Sequence, residues 1–272
     1  MSQNKDYVLG TDQIELNRLK LQHDIWKPFV LEAWQRAGIK KGSKVIDIGA
    51  GPGYASFDLS EIVGLSGEVY AIERSSNFTN YISHKVESEN IKNIKTFNLD
   101  LMVDEFPEIK ADVSWCRWVA CFVSDPKLLV KKIYSSLNKN GVAIFFEYIN
   151  YRSFRLIPQT EELNSFVEHV VSNWHESGGE PDIANTLPII LKEEGFKIRF
   201  TKPYIFSATP KDIFWQWPFT FVYHHVDRLL ELGRVEKDWV ESVRAVLDNS
   251  KNNPEAFFIT PTVLEIVAEK IS

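Results

Sequence analysis

The sequence predicts an α/β fold built on a mostly parallel sheet with helices on both faces. Short apolar segments alternate with helical patterns from Val45 to Glu147. These segments are apolar throughout rather than alternately polar, which is typical of parallel strands covered on both faces. Ligands of such sheets bind beyond the carboxyl ends of the strands, so the residues that follow each strand are the first site candidates.

The first half of the chain predicts a regular order of helices and strands. A helix is expected over residues 11–37, because apolar residues recur at helical spacing from Leu16 to Trp34 and Gly38 ends the pattern. Strands are predicted at 44–48, 68–73, 94–98, 111–116 and 142–147, and helices at 54–63, 78–88 and 125–137. NKNG, residues 138–141, is predicted as a turn.

After Tyr151 the pattern becomes mainly helical. Helices are predicted at 158–174, 183–194, from 209 onward with a break at Pro218, at 237–247 and at 261–270, and strands at 196–206 and 257–260. No repeat or linker divides the chain. We therefore predict one domain over 1–272, with a helical cover (1–38), a ligand-binding core (39–150) and remaining strands with helical insertions that form a lid (151–272).

Composition narrows the possible partners. The net charge of −6 disfavours nucleic acid or an anionic membrane as the main partner. Two cysteines, Cys116 and Cys121, cannot build a disulfide framework or a metal site, and they favour a reducing cytoplasm. The polar N-terminal segment lacks the apolar core of a signal peptide, and no apolar run approaches the ~20 residues of a membrane span. The sequence does not indicate an oligomeric state.

A glycine-rich loop follows the first predicted strand, in VIDIGAGPGY (residues 45–54). The glycine spacing is G-x-G-x-G, whereas dinucleotide-binding loops have G-x-G-x-x-G. Asp47 ends the strand and would repel a pyrophosphate, but it would attract an ammonium group. Glycines let a ligand lie against the backbone. The loop therefore favours a ligand that carries an amino-acid tail.

The run Asp47-x-Gly49-x-Gly51-x-Gly53 resembles the first motif of class I S-adenosylmethionine-dependent methyltransferases. GGEPDIANTLPIILKEEGF and FFITPTVLEIVAEK resemble the small-molecule type related to ubiquinone and menaquinone biosynthesis. The resemblance implies a Rossmann-like, seven-stranded, mostly parallel sheet and S-adenosylmethionine as the cofactor, without a metal.

The resemblance also implies roles for individual residues after each strand. Glu73 would hold the ribose hydroxyls, Asp100 and Leu101 would lie at the adenine, and Arg117 and Trp118 would contact cofactor and substrate. The full set of expected cofactor-binding residues is Asp47, Gly49, Ala50, Gly51, Gly53, Glu73, Arg74, Asp100, Leu101, Arg117 and Trp118. Structural alternatives stay open, because Asp47 could cap the loop, and Glu73 and Asp100 could be solvated.

Methyl transfer requires chiefly that the acceptor atom be positioned in line with the methyl group in a dry pocket, and a general base helps for a hydroxyl or an acidic carbon. Candidate bases are Glu147, His224 and His225. Glu147 ends a strand, but it could equally satisfy backbone donors. Either histidine could be an ordinary surface residue, as could His169 and His175.

The segment FWQWPFTFVYHH, residues 214–225, holds six aromatic residues within positions 214–223. As a lid it would form an aromatic pocket for a flat or apolar acceptor, with Trp217 and Tyr223 at the substrate. As core it would only anchor the insertion. Further candidates at the substrate are Tyr7, Arg18, Gln22 and Trp26 of the N-terminal cover.

The predicted function is methyl transfer from S-adenosylmethionine to a small molecule. Rival hypotheses are a nicotinamide- or flavin-dependent oxidoreductase and a non-catalytic binding protein of the same fold. A nucleic-acid methyltransferase is disfavoured, because CRWVACF follows the fourth strand in place of an N-P-P-Y segment. A protein arginine methyltransferase is disfavoured, because no loop with paired glutamates follows that strand.

Overall fold

The computed structural model describes residues 13–271. Its centre is a seven-stranded sheet. The strands of this sheet are β1 (Lys44–Ile48), β2 (Glu68–Glu73), β3 (Ile94–Asn98), β4 (Ala111–Arg117), β5 (Leu137–Asn150), β7 (Phe196–Tyr204) and β10 (Thr262–Lys270). Their order across the sheet is β3-β2-β1-β4-β5-β10-β7. β1 to β5 are parallel, and β10 runs antiparallel to both of its neighbours. The predicted α/β class is confirmed.

Eight α-helices are described around this sheet. They are α1 (Gln13–Arg36), α2 (Tyr54–Val63), α3 (Ser76–Ser88), α4 (Pro126–Ser136), α5 (Glu161–Glu176), α6 (Leu187–Glu193), α7 (Gln216–Glu231) and α8 (Lys237–Lys251). Side-chain caps fix three of the starts, since Ser75, Asp125 and Thr160 each accept a hydrogen bond from the backbone three residues on. Within residues 13–271, no helix is long and apolar enough to cross a membrane.

The central strands are apolar because they are covered on both faces. Val45, Ile46 and Ile48 of β1 are buried, as is almost all of β2. β1 lies between β2 and β4, with Asp47 paired to Ala71 on one side and to Trp115 on the other. β2 and β3 lie on one side of β1, whereas β4 and β5 lie on the other side. The strand order therefore reverses at β1, and the carboxyl ends of β1 and β4 border a crevice.

The predicted last helix, 261–270, is wrong, because this segment is β10. Residues Val263–Ala268 are buried between β5 and β7, which favours the β-branched side chains Val263, Ile266 and Val267. Glu265 is accommodated by Arg36, whose Nη2 lies 2.8 Å from Oε2, and by the Tyr204 hydroxyl at 2.7 Å. The helical propensity of the segment is therefore outweighed by its place inside the sheet.

Three other predictions need correction. NKNG is not a free turn, because β5 begins at Leu137 and its pairing with β4 shifts register before Val142. The predicted helix 183–194 is a short 3₁₀ turn followed by α6. Pro218 does not break its helix, because it lies in the first turn of α7, where no backbone donor is needed.

The region after Tyr151 contributes to the sheet and also covers it. β7 and β10 complete the seven strands, and a second sheet, β6-β9-β8, is made of β6 (Arg155–Ile157), β8 (Ser207–Ala208) and β9 (Phe257–Ile259). α7 contacts α1, α5 and α8. The helical cover and the insertions thus meet above the carboxyl ends of the strands. The single-domain organisation stays a prediction.

Candidate active site

A cleft of about 750 Å³ lies at the carboxyl ends of β1 to β4. The turns after these strands form its floor. The predicted residues on its wall are Asp47, Gly49, Ala50, Gly51, Glu73, Arg74, Asp100, Leu101, Arg117 and Trp118. The structure therefore brings together ten of the eleven expected cofactor-binding residues. The eleventh, Gly53, lies behind the wall against Ile82.

The glycine loop has the shape of a cradle. Gly49 has φ +64°, and a Cβ there would lie 2.5 Å from a methyl group of Val119. Gly51 also has positive φ, +55°, but a Cβ there would meet no atom within 4 Å. Gly51 therefore faces the open cleft, and a side chain would fill space that a ligand could occupy. This geometry fits a cofactor lying directly on the backbone.

Asp47 lies under this loop, with 2% of its surface exposed. Its Oδ2 accepts a 2.6 Å hydrogen bond from the Ser56 hydroxyl at the start of α2. Burial raises the pKa of Asp47 to about 7, although Ser56 and the charge of Arg117 oppose the rise. The carboxylate thus caps the loop and also lies on the cleft wall. Its pairing with a cofactor ammonium stays a prediction.

Glu73 is held by the backbone on both oxygens. Its Oε2 accepts from the amide of Gly51 at 2.9 Å, and its Oε1 accepts from the amide of Ser75 at 2.7 Å. Burial raises its pKa, and these two backbone donors lower it. Glu73 therefore ties the end of β2 to the glycine loop. Each oxygen retains a second lone pair, so a hydrogen bond to a ribose hydroxyl stays a prediction.

The adenine end of the expected site is the turn after β3. Asp100 Oδ1 accepts from the amide of Met102 at 2.8 Å, which closes a turn beside the cleft. Leu101 is buried, and Arg74 is exposed at the rim. These three side chains could surround a flat heterocycle. Their contacts with a cofactor stay predictions.

Arg117 extends into the cleft from the end of β4, and His23 of α1 fixes its orientation. Arg117 Nη2 lies 3.2 Å from His23 Nδ1, and His23 Nε2 lies 3.0 Å from Asp58 Oδ2. Burial lowers the pKa of His23, which favours the neutral ring that can accept from Arg117 and donate to Asp58. Burial lowers the pKa of Arg117 to about 10, so this guanidinium stays charged at neutral pH. The cover helix is thereby joined to the cofactor end of the cleft.

Glu147, a predicted base, lies below the wall and is fully buried. Its Oε1 accepts from the amides of Val119 and Ala120, both at 2.8 Å, and its Oε2 accepts from that of Cys121 at 3.4 Å. Burial raises its pKa to about 7, and these backbone donors oppose the rise. This geometry favours the structural alternative, in which Glu147 shapes the turn after β4.

The two histidine candidates lie away from the cleft. His225 is buried, and its ring stacks on Phe221 with centroids 4.9 Å apart. Burial lowers its pKa to about 3, which keeps the ring neutral. His224 lies beside Tyr223, with ring centroids 5.7 Å apart. Neither ring lines the cleft, which does not favour a catalytic role for either.

A second, smaller cavity of about 40 Å³ adjoins the cleft and is lined mainly by aromatic side chains. We call it the aromatic pocket; its lining is Arg18, Leu19, Gln22, Trp118, Phe122, Tyr148, Tyr151, Phe154, Trp174, Trp217, Pro218, Phe221 and Pro261. Five of these residues also line the cleft: Leu19, Gln22, Trp118, Phe122 and Trp174. The two spaces therefore share a wall at which bound molecules could meet.

Trp118 is the central side chain of this shared wall. It has φ +52°, which is unusual for a bulky residue and is typical of functional sites. Its ring stacks between Tyr148 and Trp217, with centroid distances of 5.8 and 5.6 Å. Trp26 is fully buried behind the stack and does not line either cavity. Its ring centroid lies 4.9 Å from that of Trp217.

The two predicted residues of the aromatic segment have different environments. Trp217 lines the aromatic pocket. Tyr223 packs instead between α7 and α8, stacked on Phe219 and under the guanidinium of Arg244. Tyr7 lies outside the described residues.

Several wall residues were not among the sequence candidates. Tyr148 and Tyr151 follow the apolar core of β5, where a search of strand ends could have found them. Phe122 and Trp174 come from the turn after β4 and from α5. Only the folded chain brings the latter two together, with ring centroids 4.9 Å apart.

Comparisons with known proteins agree with this geometry. A family model described as a methyltransferase domain matches residues 46–145. The chain is 29% identical over 126 residues to a demethylmenaquinone methyltransferase of Lactococcus lactis, covering 46% of this chain and 49% of that protein. It is 25% identical over 198 residues to a demethylmenaquinone methyltransferase of Geobacillus kaustophilus, covering 69% and 83%. The match to the Lactococcus protein thus spans about half of that protein's length.

The fold is also found in solved structures. A putative methyltransferase from Bacillus halodurans superposes with a TM-score of 0.58 at 14% identity, covering 89% of this chain and 98% of that one. The domain match, the relatives, the sheet order and the glycine cradle point to one family. Together they support a class I S-adenosylmethionine-dependent methyltransferase, with S-adenosylmethionine as the cofactor.

Proposed function

We propose that this protein transfers the methyl group of S-adenosylmethionine to a small, flat, largely apolar molecule bound where the cleft meets the aromatic pocket. The wall shared by the two spaces is the observation that carries this proposal. A cofactor in the cleft and an acceptor at this junction would meet beside Trp118. The relatives named demethylmenaquinone methyltransferases support an acceptor with a flat, apolar ring.

The residues of the cleft would hold the cofactor by charge and by backbone contact. Asp47 and Arg117 would hold the amino-acid tail through its ammonium and its carboxylate, and Glu73 would hold the ribose. The bound cofactor supplies an electrophilic methyl group on a positively charged sulfur. The protein's part is then to orient the acceptor within reach of that methyl group and to exclude water.

The aromatic pocket would exclude water through the Tyr148, Trp118 and Trp217 stack. Among the described residues that line the aromatic pocket there is no carboxylate and no imidazole. This favours acceptors that reach the site already ionised, or that lose their proton to solvent. Side-chain proton transfer by Glu147, His224 or His225 is not supported by their positions.

Calorimetry followed by a single-turnover assay tests the proposal. The wild-type protein is expected to bind S-adenosylmethionine and S-adenosylhomocysteine, but not NAD. With a donor carrying a labelled methyl group, label should appear in a flat aromatic acceptor from a panel of phenols, quinols and amines. Binding of NAD without either sulfur cofactor would support the oxidoreductase instead. Cofactor binding without label transfer to any acceptor would support a non-catalytic binding protein.

A further inference from the structure

Part of the cleft lining is helical. α5, α7 and the turn after α7 contribute a set of residues that we call the helical wall: Asn173, Trp174, Glu176, Arg228, Leu232 and Arg234. The expected cofactor-binding residues come instead from the turns after β1 to β4. Trp174 also lines the aromatic pocket. A methyl acceptor at the junction of the two spaces would therefore lie against the helical wall.

Asn173 is a polar residue on the buried face of α5. Phe166 and Val170 are buried on the same face, two turns and one turn earlier, and Asn173 itself is only 5% exposed. An apolar side chain would suit this position better, because asparagine has a low helix propensity and the burial of an unpaired amide costs free energy. Packing of the helix therefore does not account for this residue.

The side-chain amide of Asn173 is open to the cleft. Ser177 donates to Asn173 from its backbone amide and, at 2.8 Å, from its hydroxyl, but both hydrogen bonds go to the main-chain oxygen. Neither Oδ1 nor Nδ2 meets a partner within residues 13–271, and neither atom is enclosed by protein. Since Asn173 lines the cleft, its amide offers one acceptor and two donors to a ligand there.

A ligand that covers this amide has to replace the water that hydrates it. An apolar group would leave the donors and the acceptor of Asn173 unpaired, and sites with such buried polar groups reject ligands that cannot pair with them. A polar group of matching geometry would restore the hydrogen bonds at the cost of little new order, because the helix already holds the amide in place.

The charges of the helical wall are balanced. Arg234 pairs with Glu176, and Arg228 Nη1 lies 3.0 Å from Glu231 Oε2. A charged group on the ligand would lose its hydration here without meeting an unpaired counter-ion from these residues. The helical wall therefore favours a neutral polar group beside Asn173.

We propose that Asn173 is a specificity-determining residue for methyl transfer, and that it pairs with a neutral carboxamide or lactam on the methyl acceptor. Such a group presents a carbonyl and an N–H side by side, which match the N–H and the carbonyl of the asparagine amide. The flat ring of the acceptor then lies at Trp174, and the paired group lies away from the atom that receives the methyl group. The proposal rests on the proposed function, because it names a substituent of the acceptor at the same site.

The probes are four naphthalenes that differ in one substituent of nearly constant shape. 2-Naphthamide carries a donor and an acceptor, 2-acetylnaphthalene an acceptor only, 2-isopropenylnaphthalene neither, and 2-naphthoate a negative charge. Calorimetry is done on the wild-type protein with saturating S-adenosylhomocysteine. 2-Naphthamide should bind about fivefold more tightly than the ketone and about 25-fold more tightly than the alkene, as expected for one and two neutral hydrogen bonds. 2-Naphthoate should bind more weakly than the ketone.

The test variant is Asn173→Leu, which has nearly the same size and no polar atoms in its side chain. Its affinities for 2-naphthamide and 2-isopropenylnaphthalene should agree within about twofold, and its affinity for S-adenosylhomocysteine should stay within about twofold of wild type. Asn164→Leu is the matched control, because Asn164 lies on the exposed face of the same helix and lines neither cavity. It should keep the wild-type preference for 2-naphthamide.

The outcomes separate this inference from the proposed function. A wild-type protein that binds no S-adenosylhomocysteine contradicts the proposed function itself. Binding of S-adenosylhomocysteine overturns only the inference if none of the four probes binds, if the amide and the alkene bind equally, or if 2-naphthoate binds most tightly. An Asn173→Leu variant that keeps the preference overturns it too, as does one that loses affinity for S-adenosylhomocysteine, since the amide would then serve the cofactor. The ranking of the probes by the wild-type protein is independent of how well the variants fold.

Discussion

The cleft and the aromatic pocket adjoin each other but are built by different means. The cleft is formed by turns at the ends of parallel strands, and Glu73 and Glu147 are bound there by backbone amides. The aromatic pocket is formed by side chains from α1, α5, α7, the end of β5 and the turn after β4. The course of the backbone shapes the cleft, whereas aromatic side chains shape the aromatic pocket that they line.

This difference indicates which changes each part tolerates. A substitution in the cleft alters a turn whose shape depends on the sheet, so cofactor binding and folding are linked there. A substitution in the aromatic pocket changes the surface offered to an acceptor and leaves the strand ends in place. Acceptor choice can therefore vary without loss of the cofactor site.

The largest effect is expected for Glu147→Ala, which removes the acceptor of three backbone amides in the turn after β4. Leaving these donors buried and unpaired should cost about 3 kcal/mol or more of unfolding free energy. Urea denaturation measures this loss. Because the turn carries Trp118, cofactor and acceptor affinity should both fall. A Glu147→Gln variant that keeps its stability and both affinities but loses turnover would identify Glu147 as the base after all.

The next effect is expected for Asp47→Asn, which removes the charge proposed to hold the cofactor ammonium. Cofactor affinity should fall about 10- to 100-fold, as expected for a charged hydrogen bond of about 1.5–3 kcal/mol. Calorimetry with S-adenosylhomocysteine measures it. Unchanged affinity would leave Asp47 only its hydrogen bonds to Ser56 and its capping role.

The same variant should have the opposite effect on stability without cofactor. The pKa of Asp47 is about 7 in the folded protein and 3.8 in its ordinary state, so between these values the folded form holds a proton that the unfolded form has lost. Stability therefore falls as pH rises through this window. Asp47→Asn should raise the melting temperature at pH 8 more than at pH 4. A lower melting temperature at pH 8 would contradict this.

A smaller effect is expected for Trp217→Phe, which keeps an aromatic ring in the aromatic pocket but removes the indole donor to Gln22. KM for the acceptor should rise about tenfold, since the lost hydrogen bond is worth about 1 kcal/mol and the smaller ring weakens the stack by less than that. Cofactor affinity should stay within about twofold. Tyr223→Phe is the control, because Tyr223 lines neither cavity and should have no effect on acceptor KM.

The smallest effect is expected for His23→Phe, which leaves Arg117 without its partner on α1. Cofactor affinity should fall roughly threefold to tenfold, the worth of one hydrogen bond. Lys27→Ala is the control, because Lys27 contacts Asp58 but not Arg117. Equal losses of cofactor affinity in the two variants would show that cofactor binding depends on the contacts with Asp58 rather than on the contact between His23 and Arg117.

The wild-type protein should lose more cofactor affinity at acidic pH than His23→Phe does. Protonation of Asp47 weakens binding in both proteins, whereas protonation of His23 weakens it only in the wild type. Protonation of His23 below its lowered pKa would remove the lone pair that Arg117 uses and place two cations side by side. Asp58 and Asp24 would partly oppose this. Cofactor titrations across pH, compared with those of His23→Phe, measure it.

The sequence predicted the cofactor half well for physical reasons. Buried parallel strands need continuous apolar runs, and positive φ needs glycine, so β1, β2 and the glycine loop are visible in short windows of sequence. β10 could not be predicted in this way, because its partners on both sides decide its conformation. Asn173 was not among the candidates. Its significance comes from an amide that meets no partner among the described residues and from its place beside Trp174 on the cleft wall, and only the folded chain shows both.

β10 also has a consequence for the order in which the protein can fold during synthesis. In the sheet, β7 pairs with β10 alone among the described strands, and β10 follows it only after residues 205–261. β7 therefore emerges from the ribosome before its partner strand, and it stays unpaired until β10 has been synthesised. The parallel strands β1 to β5 can assemble earlier. A chaperone that binds exposed strand edges would find its target in this interval, when β5 and β7 both await the same partner.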